Sequence, residues 1–228
     1  MIPKHINYEE NLAFISFSNE KEGLLFDDSK HEKYPIRYYN IINNKGLPEL
    51  SNDCSYYGFV YSGSACIITK EHNNMFISQG SYFSVNGTFI SQEVIGSKFI
   101  LIEVLHTKGI YPETQYRAMN TFGGSIEEVG RLKYIDGCTD SLLIPPVKMG
   151  DPCLNHLHFP KNITQTGHTH PSHRIGIVSD SHMDVIAFHP DSDFGATDIV
   201  HPMINRTIVQ NDEGEFVSAG SIETIRTQ

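Results

Sequence analysis

Short apolar runs, separated by polar turn residues, dominate the first half of the chain. Between residues 56 and 105 these runs are YYGFVYSG, SACIITK, NMFIS, GSYFSVNGTFISQEVIG and KFILIEVL. They are rich in β-branched and aromatic side chains, and their spacing is typical of the short strands of an all-β sandwich or barrel. Turns or bulges are expected at Gly80 and at the Asn86-Gly87 pair. The pattern predicts an all-β fold.

Helical patterns are rare and short. The segment SIEEVGRLKYI predicts one helix, with Ser125 as its N-cap and Glu128 three residues later. The segment SAGSIETIRTQ predicts another at the end of the sequence. Residues 107–155 are rich in Gly and Pro, which is typical of a connector between two β units.

The two halves of the chain share a faint repeat. In the first half YYGFVYSG is followed, after several strands, by KFILIEVL, and in the second half HRIGIV is followed by MDVIAF. Only SDSH separates the second pair, so about 30 residues of the first copy have no counterpart. We therefore predict two β domains, residues 1–150 and residues 151–228, the second of them shortened.

Composition and charge narrow the class of protein. The net charge is −10, with 19% charged and 39% hydrophobic residues, as in an ordinary soluble globular protein. No Lys/Arg cluster is present, so we expect no nucleic-acid partner. No run of about 18 apolar residues and no secretory signal are apparent, so we expect a cytoplasmic protein without a membrane span. The four cysteines have no paired spacing and are expected to be reduced thiols.

Histidines concentrate in the second half of the chain. Eight of the twelve lie between residues 156 and 201, and two pairs have i, i+2 spacing, His156/His158 and His168/His170. Residues at this spacing on a strand face the same side of a sheet. Two imidazoles on one face can reach one metal ion. A single pair is more often part of a polar strand surface or a loop, whereas two neighbouring pairs favour a metal site.

The second histidine pair resembles a motif of the cupin superfamily. The segment HTHPSHRIGIV resembles the first cupin signature, G-x5-H-x-H-x3–4-E-x6-G, with His168 and His170 as its His-x-His. The segment GSYFSVNGTFI resembles the second signature, with Ile90 where a histidine belongs. The chain thus resembles a two-cupin (bicupin) protein built from double-stranded β-helix barrels. Its first copy is degenerate and without metal ligands, and its second copy is shortened.

One departure from the family pattern concerns the metal ligands. The family's glutamate ligand falls at Arg174 or Ile175, and neither side chain replaces a carboxylate. Either the site is damaged, or another histidine completes it. The candidates for this third ligand are His156, His158, His182 and His201.

The resemblance implies two functions. The first is an enzyme of the dioxygenase, isomerase or lyase type, acting on a small organic molecule with a divalent transition metal (Fe, Mn, Ni, Cu or Zn) at His168 and His170. Arg174 would bind a substrate carboxylate or phosphate, and His158 is a second candidate for substrate binding. The alternative is a non-catalytic small-ligand-binding or regulatory protein with a damaged metal site. A third ligand would favour the enzyme, and an apolar pocket without one would favour the binding protein.

The shortened second copy also bears on oligomeric state. A barrel that lacks strands has open edges, and open edges favour pairing with another chain. We therefore expect a homodimer.

Overall fold

The computed structural model describes residue 17 and residues 19–32, 34–71, 73–106, 120–146, 151–160, 174–179, 184–190, 207–210 and 216–219. These residues form fourteen β-strands and one turn of 3-10 helix at Ile135–Gly137. The prediction of an all-β fold is confirmed. Among the described residues no helix has the length and hydropathy needed to cross a membrane. All four cysteines are free thiols.

The first sheet has seven antiparallel strands. Its strands are β1 (Gly23–Asp28), β2 (Ile36–Ile42), β3 (Cys54–Thr69), β4 (Asn74–Ser78), β5 (Tyr82–Asn86), β6 (Phe89–Leu105) and β7 (Thr121–Gly123). They are ordered β1-β2-β6-β3-β5-β7, and β4 pairs with the far end of β3. Strands β3 and β6 each join two apolar runs of the sequence, and three register shifts in their pairing allow them to bend.

The turns predicted in this sheet are present. Gly80 lies between β4 and β5 with φ +83°, and Gly87 lies between β5 and β6 with φ +78°. Both angles are in the left-handed region, which glycine reaches without the steric cost that a Cβ would add.

The second sheet has five strands. They are β8 (Leu132–Lys133), β9 (Thr139–Ile144), β10 (Pro152–His158), β11 (Ile175–Ser179) and β12 (Asp184–Pro190), in the order β11-β12-β10-β9-β8. Strands β13 (Thr207–Gln210) and β14 (Phe216–Ala219) form a separate antiparallel pair. Residues 107–155 were predicted to be a connector, and this is wrong where β7, β8, β9 and the start of β10 form parts of the two sheets. The predicted division at residue 150 falls between β9 and β10 and stays a prediction.

The segments that carry the predicted repeat form two antiparallel strand pairs, and the repeat itself stays a prediction. In the first sheet β3 pairs antiparallel with β6, and in the second sheet β11 pairs antiparallel with β12. In both sheets the two strands of the pair are therefore hydrogen-bonded neighbours.

One face of the first sheet encloses an aromatic core. Phe83 is fully buried there, with its ring centroid 6.0 Å from those of Phe89 and Phe99 and 6.3 Å from that of Phe122. Gly58 lies under the Phe83 ring, and a Cβ at position 58 would overlap it. The glycine thus lets the ring lie flat against β3.

The other face of the first sheet is covered by the second sheet. Buried residues of both sheets form one cluster, which includes Tyr57, Phe59, Ile100 and Ile102 from the first sheet and Ile144 and Leu154 from the second. The Tyr38 hydroxyl donates a hydrogen bond of 3.1 Å to the carbonyl oxygen of Gly176. The two sheets thus share one core.

A network around one buried carboxylate joins four strands of the first sheet. Glu103 on β6 accepts hydrogen bonds from Arg37 (3.0 Å), Tyr39 (3.1 Å) and Tyr56 (3.2 Å). Arg37 also pairs with Asp27 of β1 at 3.3 Å. Burial disfavours the charge of Arg37, but the hydrogen bond and the charge of Glu103 outweigh it and raise the pKa of Arg37. Glu103 therefore acts as the shared acceptor of this network.

Candidate functional site

The residues predicted to bind a metal are not among those described. His168 and His170 lie outside the described residues, as do His182 and His201. Among the described residues no group of three or more His, Cys, Asp or Glu side chains could hold a metal ion. A catalytic zinc typically has three protein ligands, so this part of the chain does not by itself supply a site for Fe, Mn, Ni, Cu or Zn.

The two residues predicted to bind substrate lie at different ends of the second sheet. Ile175 of β11 and Leu154 of β10 both pair with Phe188 of β12. Arg174 therefore lies level with the start of β10, whereas His158 is the last residue of that strand. The structure does not bring the two side chains together, and their contacts with a substrate stay predictions.

The other histidine of the first pair occupies a buried position. His156 on β10 is 0% exposed and pairs with Ser141 of β9 and with Ile186 of β12. Its side chain lines a cavity of about 260 Å³ between the two sheets. From the sequence, His156 is predicted as a member of the His156/His158 pair and as a candidate third metal ligand, and the cavity is not predicted. The paired spacing with His158 is the one sequence feature that singles it out.

The walls of the cavity come from both sheets. Tyr82 of β5 contributes from the first sheet, and Ser141, Leu142 and Leu143 of β9 contribute from the second, with His156 of β10 beside them. The cavity lies at the edge of the shared core, because Tyr82 and Leu143 also pack against that core.

One wall of the cavity belongs to residues 125–131, which we call the closing segment, and the Arg131 and Glu127 side chains of this wall are 73% and 47% exposed. Its first end is fixed to the first sheet, since the Ile126 N–H donates to the Gly80 carbonyl at 3.1 Å and the Ser125 hydroxyl donates to the Gln79 carbonyl at 3.4 Å. The helix predicted from Ser125 to Ile135 is wrong. The Ile126 N–H and the Ser125 hydroxyl hydrogen-bond to the turn between β4 and β5 and not within a helical turn. Such tertiary contacts override a local capping pattern.

The other end of the closing segment is fixed to the second sheet. The Gly130 N–H donates to the Thr139 hydroxyl at 2.9 Å, and the Arg131 N–H donates to the Ser141 hydroxyl at 2.9 Å. The segment therefore bridges the two sheets across the cavity.

An ion pair lies in the closing segment itself. Arg131 donates to both carboxylate oxygens of Glu127, from Nε at 2.8 Å and from Nη2 at 2.7 Å. The hydrogen bond from Arg131 lowers the pKa of Glu127, and the charges of Arg131 and His156 add to this effect. The hydrogen bond and charge of Glu127 raise the pKa of Arg131, and the nearby Tyr82 acts in the same direction. His156, Glu127, Arg131 and Tyr82 thus interact electrostatically around one cavity.

A second carboxylate lies near His156. Asp140, next to Ser141 on β9, accepts hydrogen bonds from the Asn155 amide at 3.2 Å and 3.0 Å, one on each oxygen. Burial raises the pKa of Asp140, while the hydrogen bond from Asn155 and the charge of His156 oppose the shift. Both carboxylates that interact with His156 therefore have both oxygens engaged by protein donors.

The position of Tyr82 depends on a glycine in the neighbouring strand. Tyr82 pairs with Gly123 of β7, and a Cβ at position 123 would overlap the end of the tyrosine ring. The absence of a side chain there lets the ring lie across β7 at the cavity wall.

Comparisons with known proteins find similarity of fold only. No family model and no curated protein matches the chain. Among solved structures, a glyoxylate-induced protein from Pseudomonas aeruginosa is 11% identical with a TM-score of 0.47, over 71% of this chain and 67% of that one. A cupin 2 conserved barrel domain protein from Leptotrichia buccalis is 14% identical with a TM-score of 0.41, over 85% and 92%. Quercetin 2,3-dioxygenase from Acinetobacter baumannii is 9% identical with a TM-score of 0.41, over 77% and 68%.

Proposed function

We propose that this chain is a cupin-type protein that binds a small organic molecule in the cavity between its two sheets. The observation that supports this most is His156, a fully buried imidazole in the wall of a cavity of about 260 Å³. Ligand sites typically combine apolar walls with a few placed polar groups that fix the orientation of the ligand. The volume lies just below the roughly 300–1,000 Å³ of most ligand clefts, which fits a small metabolite rather than a dinucleotide.

The mouth of the cavity is apolar. Leu132 and Leu142 line it and are 59% and 47% exposed. A ligand that covers these two side chains removes apolar surface from water, which is favourable by about 25 cal/mol per Å². The His156 imidazole and the Ser141 hydroxyl then provide hydrogen bonds to a polar group of the same ligand.

Binding in this cavity is tested with a substitution that fills its mouth. We expect small organic fragments to bind the natural chain in a ligand-observed NMR screen and to lose binding in Leu142→Trp, because the indole occupies the space of the ligand. Leu142 is half-exposed, so the larger side chain adds bulk without disturbing the core.

The matched control for this screen is Ile90→Trp. Ile90 is also an exposed aliphatic residue on a strand, but it does not line the cavity. Fragments should bind this variant as they bind the natural chain. Equal binding to Leu142→Trp, or no fragment binding to any of the three proteins, would refute the proposal.

A metal-dependent enzyme is the second candidate function. It is supported by the two His-x-His pairs, since His156 and His158 of β10 have the spacing at which two side chains share one face of a strand. We expect elemental mass spectrometry of the purified chain to find about one ion of Fe, Mn, Ni, Cu or Zn per chain, and the ion to be lost from His168→Ala/His170→Ala.

The control for metal content is His5→Ala/His72→Ala, which removes two histidines from the first half of the chain. This variant should keep the metal if the pair at residues 168 and 170 holds it. A natural chain that stays free of metal after incubation with each of the five ions would rule out the metalloenzyme.

A further inference from the structure

We propose that the ligand of the cavity between the sheets is a small organic acid, whose carboxylate binds at Arg131 while its apolar body covers Leu132 and Leu142. This inference rests on the proposed function, since it assigns a ligand class to the same cavity. It follows from which hydrogen-bonding groups around the cavity are already engaged and which can still serve a ligand.

The two carboxylates near the cavity already accept hydrogen bonds within the protein. Both oxygens of Glu127 accept from Arg131 at 2.7 and 2.8 Å. Both oxygens of Asp140 accept from the Asn155 amide at 3.0 and 3.2 Å. A cationic ligand would have to share either carboxylate with these intramolecular donors, and at Glu127 it would also meet the positive charge of Arg131.

Donors remain available at the cavity. A guanidinium carries five N–H donors in a fixed fork, and Glu127 uses the Nε donor and one Nη2 donor of Arg131. The outer edge of the fork can therefore still take both oxygens of a second carboxylate. The Ser141 hydroxyl accepts from the Arg131 N–H at 2.9 Å, so its own proton can point to a ligand. The Tyr82 hydroxyl is a further O–H donor in the wall of the cavity.

The apolar side chains of the cavity determine the chemical character of the rest of the ligand. Ile126, Leu132, Leu142 and Leu143 line the cavity beside these donors. This arrangement suits a monocarboxylic acid with a branched aliphatic or single-ring body. A dicarboxylate or a sugar would place a second polar group against the leucines, where it would lose hydrogen bonds to water.

The test compares acids with amides of the same shape. Benzoate and 3-methylbutanoate are titrated against benzamide and 3-methylbutanamide, with dissociation constants from NMR shift changes. The Arg131 side chain is 73% exposed, so water weakens its pairing with a carboxylate, and the natural chain should bind each acid about two- to fivefold more tightly than its amide. Arg131→Gln should bring the acid down to the affinity of the amide. Arg131→Lys should give an intermediate preference, because it keeps the charge and loses the fork.

Lys133→Gln is the matched control. It removes one positive charge from the same short strand region, and Lys133 does not line the cavity. It should keep the full preference for acids. Amides that bind the natural chain as tightly as the acids would overturn the inference, as would an equal loss of preference in Lys133→Gln and Arg131→Gln. In either case the proposed function would still hold if fragments bind the natural chain and do not bind Leu142→Trp. If no fragment binds the cavity at all, both the proposed function and this inference are refuted.

Discussion

Replacing Phe83 by alanine is expected to lower the free energy of unfolding by about 3–5 kcal/mol, the usual cost of deleting a buried phenylalanine ring. Phe83 has no solvent exposure and contacts the rings of Phe89, Phe99 and Phe122. The cavity left behind cannot collapse easily, because neighbouring strands fix the backbone on each side. Urea unfolding followed by circular dichroism measures the change.

The control for this measurement is Phe76→Ala. Phe76 lies on β4 of the same sheet and is 65% exposed, so its loss should change the free energy of unfolding by less than about 0.5 kcal/mol. Phe83→Leu should cost less than Phe83→Ala, because leucine fills part of the volume. A cost below that of Phe76→Ala would show that the aromatic core is not packed as described.

Replacing Glu103 by alanine is expected to lower the free energy of unfolding by about 3 kcal/mol, near the lower end of the range for removing one partner of a buried ion pair. The hydroxyls of Tyr39 and Tyr56 lose their shared acceptor, and the guanidinium of Arg37 loses a charged partner at 3.0 Å. The lower end applies because the Arg37 side chain is 32% exposed, so water can replace part of the interaction.

Two further variants separate charge from packing at this position. Glu103→Gln keeps the shape and one acceptor oxygen, so it should cost less than Glu103→Ala. Glu93→Ala removes an exposed carboxylate from the same strand, and its effect should stay within about 0.5 kcal/mol. If Glu103→Ala unfolds at the same urea concentration as Glu93→Ala, the buried network does not stabilise the fold.

Strands β3 to β6 of the first sheet were predictable from the sequence because their pattern is local. The apolar runs from residue 56 to residue 105 are rich in β-branched and aromatic side chains, and they form β3 to β6. The turns at Gly80 and Gly87 follow from the same local chemistry. The union of two runs into one long strand was not predictable, since it depends on bulges that arise only when β3 and β6 pair.

The closing segment shows why the candidate site could not be predicted in the same way. The Ser125 and Glu128 pattern is a valid local signal for a helix start, but the N–H groups of Ile126, Gly130 and Arg131 bond to strands of two different sheets. The order of the strands in the sheets decides whether the local pattern or the tertiary hydrogen bonds prevail. A single sequence does not reveal this order.

The partners of Glu103 and His156 could not be predicted from the sequence for a related reason. The hydrogen bonds of Glu103 reach residues 47, 64 and 66 positions away along the chain. His156 meets Ser141 only through the register of β9 on β10. A single buried carboxylate or imidazole in an apolar strand indicates that some partner exists, and the fold decides which one.

The core shared by the two sheets also determines when the apolar face of the first sheet becomes covered during protein synthesis. The first sheet emerges from the ribosome while the face that carries Tyr57 and Ile102 still lacks its cover, because the covering residues Leu154, Ile175 and Ile177 come later in the chain. At about 5–20 residues per second this interval lasts several seconds. During that time the nascent chain presents an apolar sheet face, the kind of surface that chaperones protect. Slower translation beyond residue 106 would lengthen this exposure and should lower the yield of folded protein.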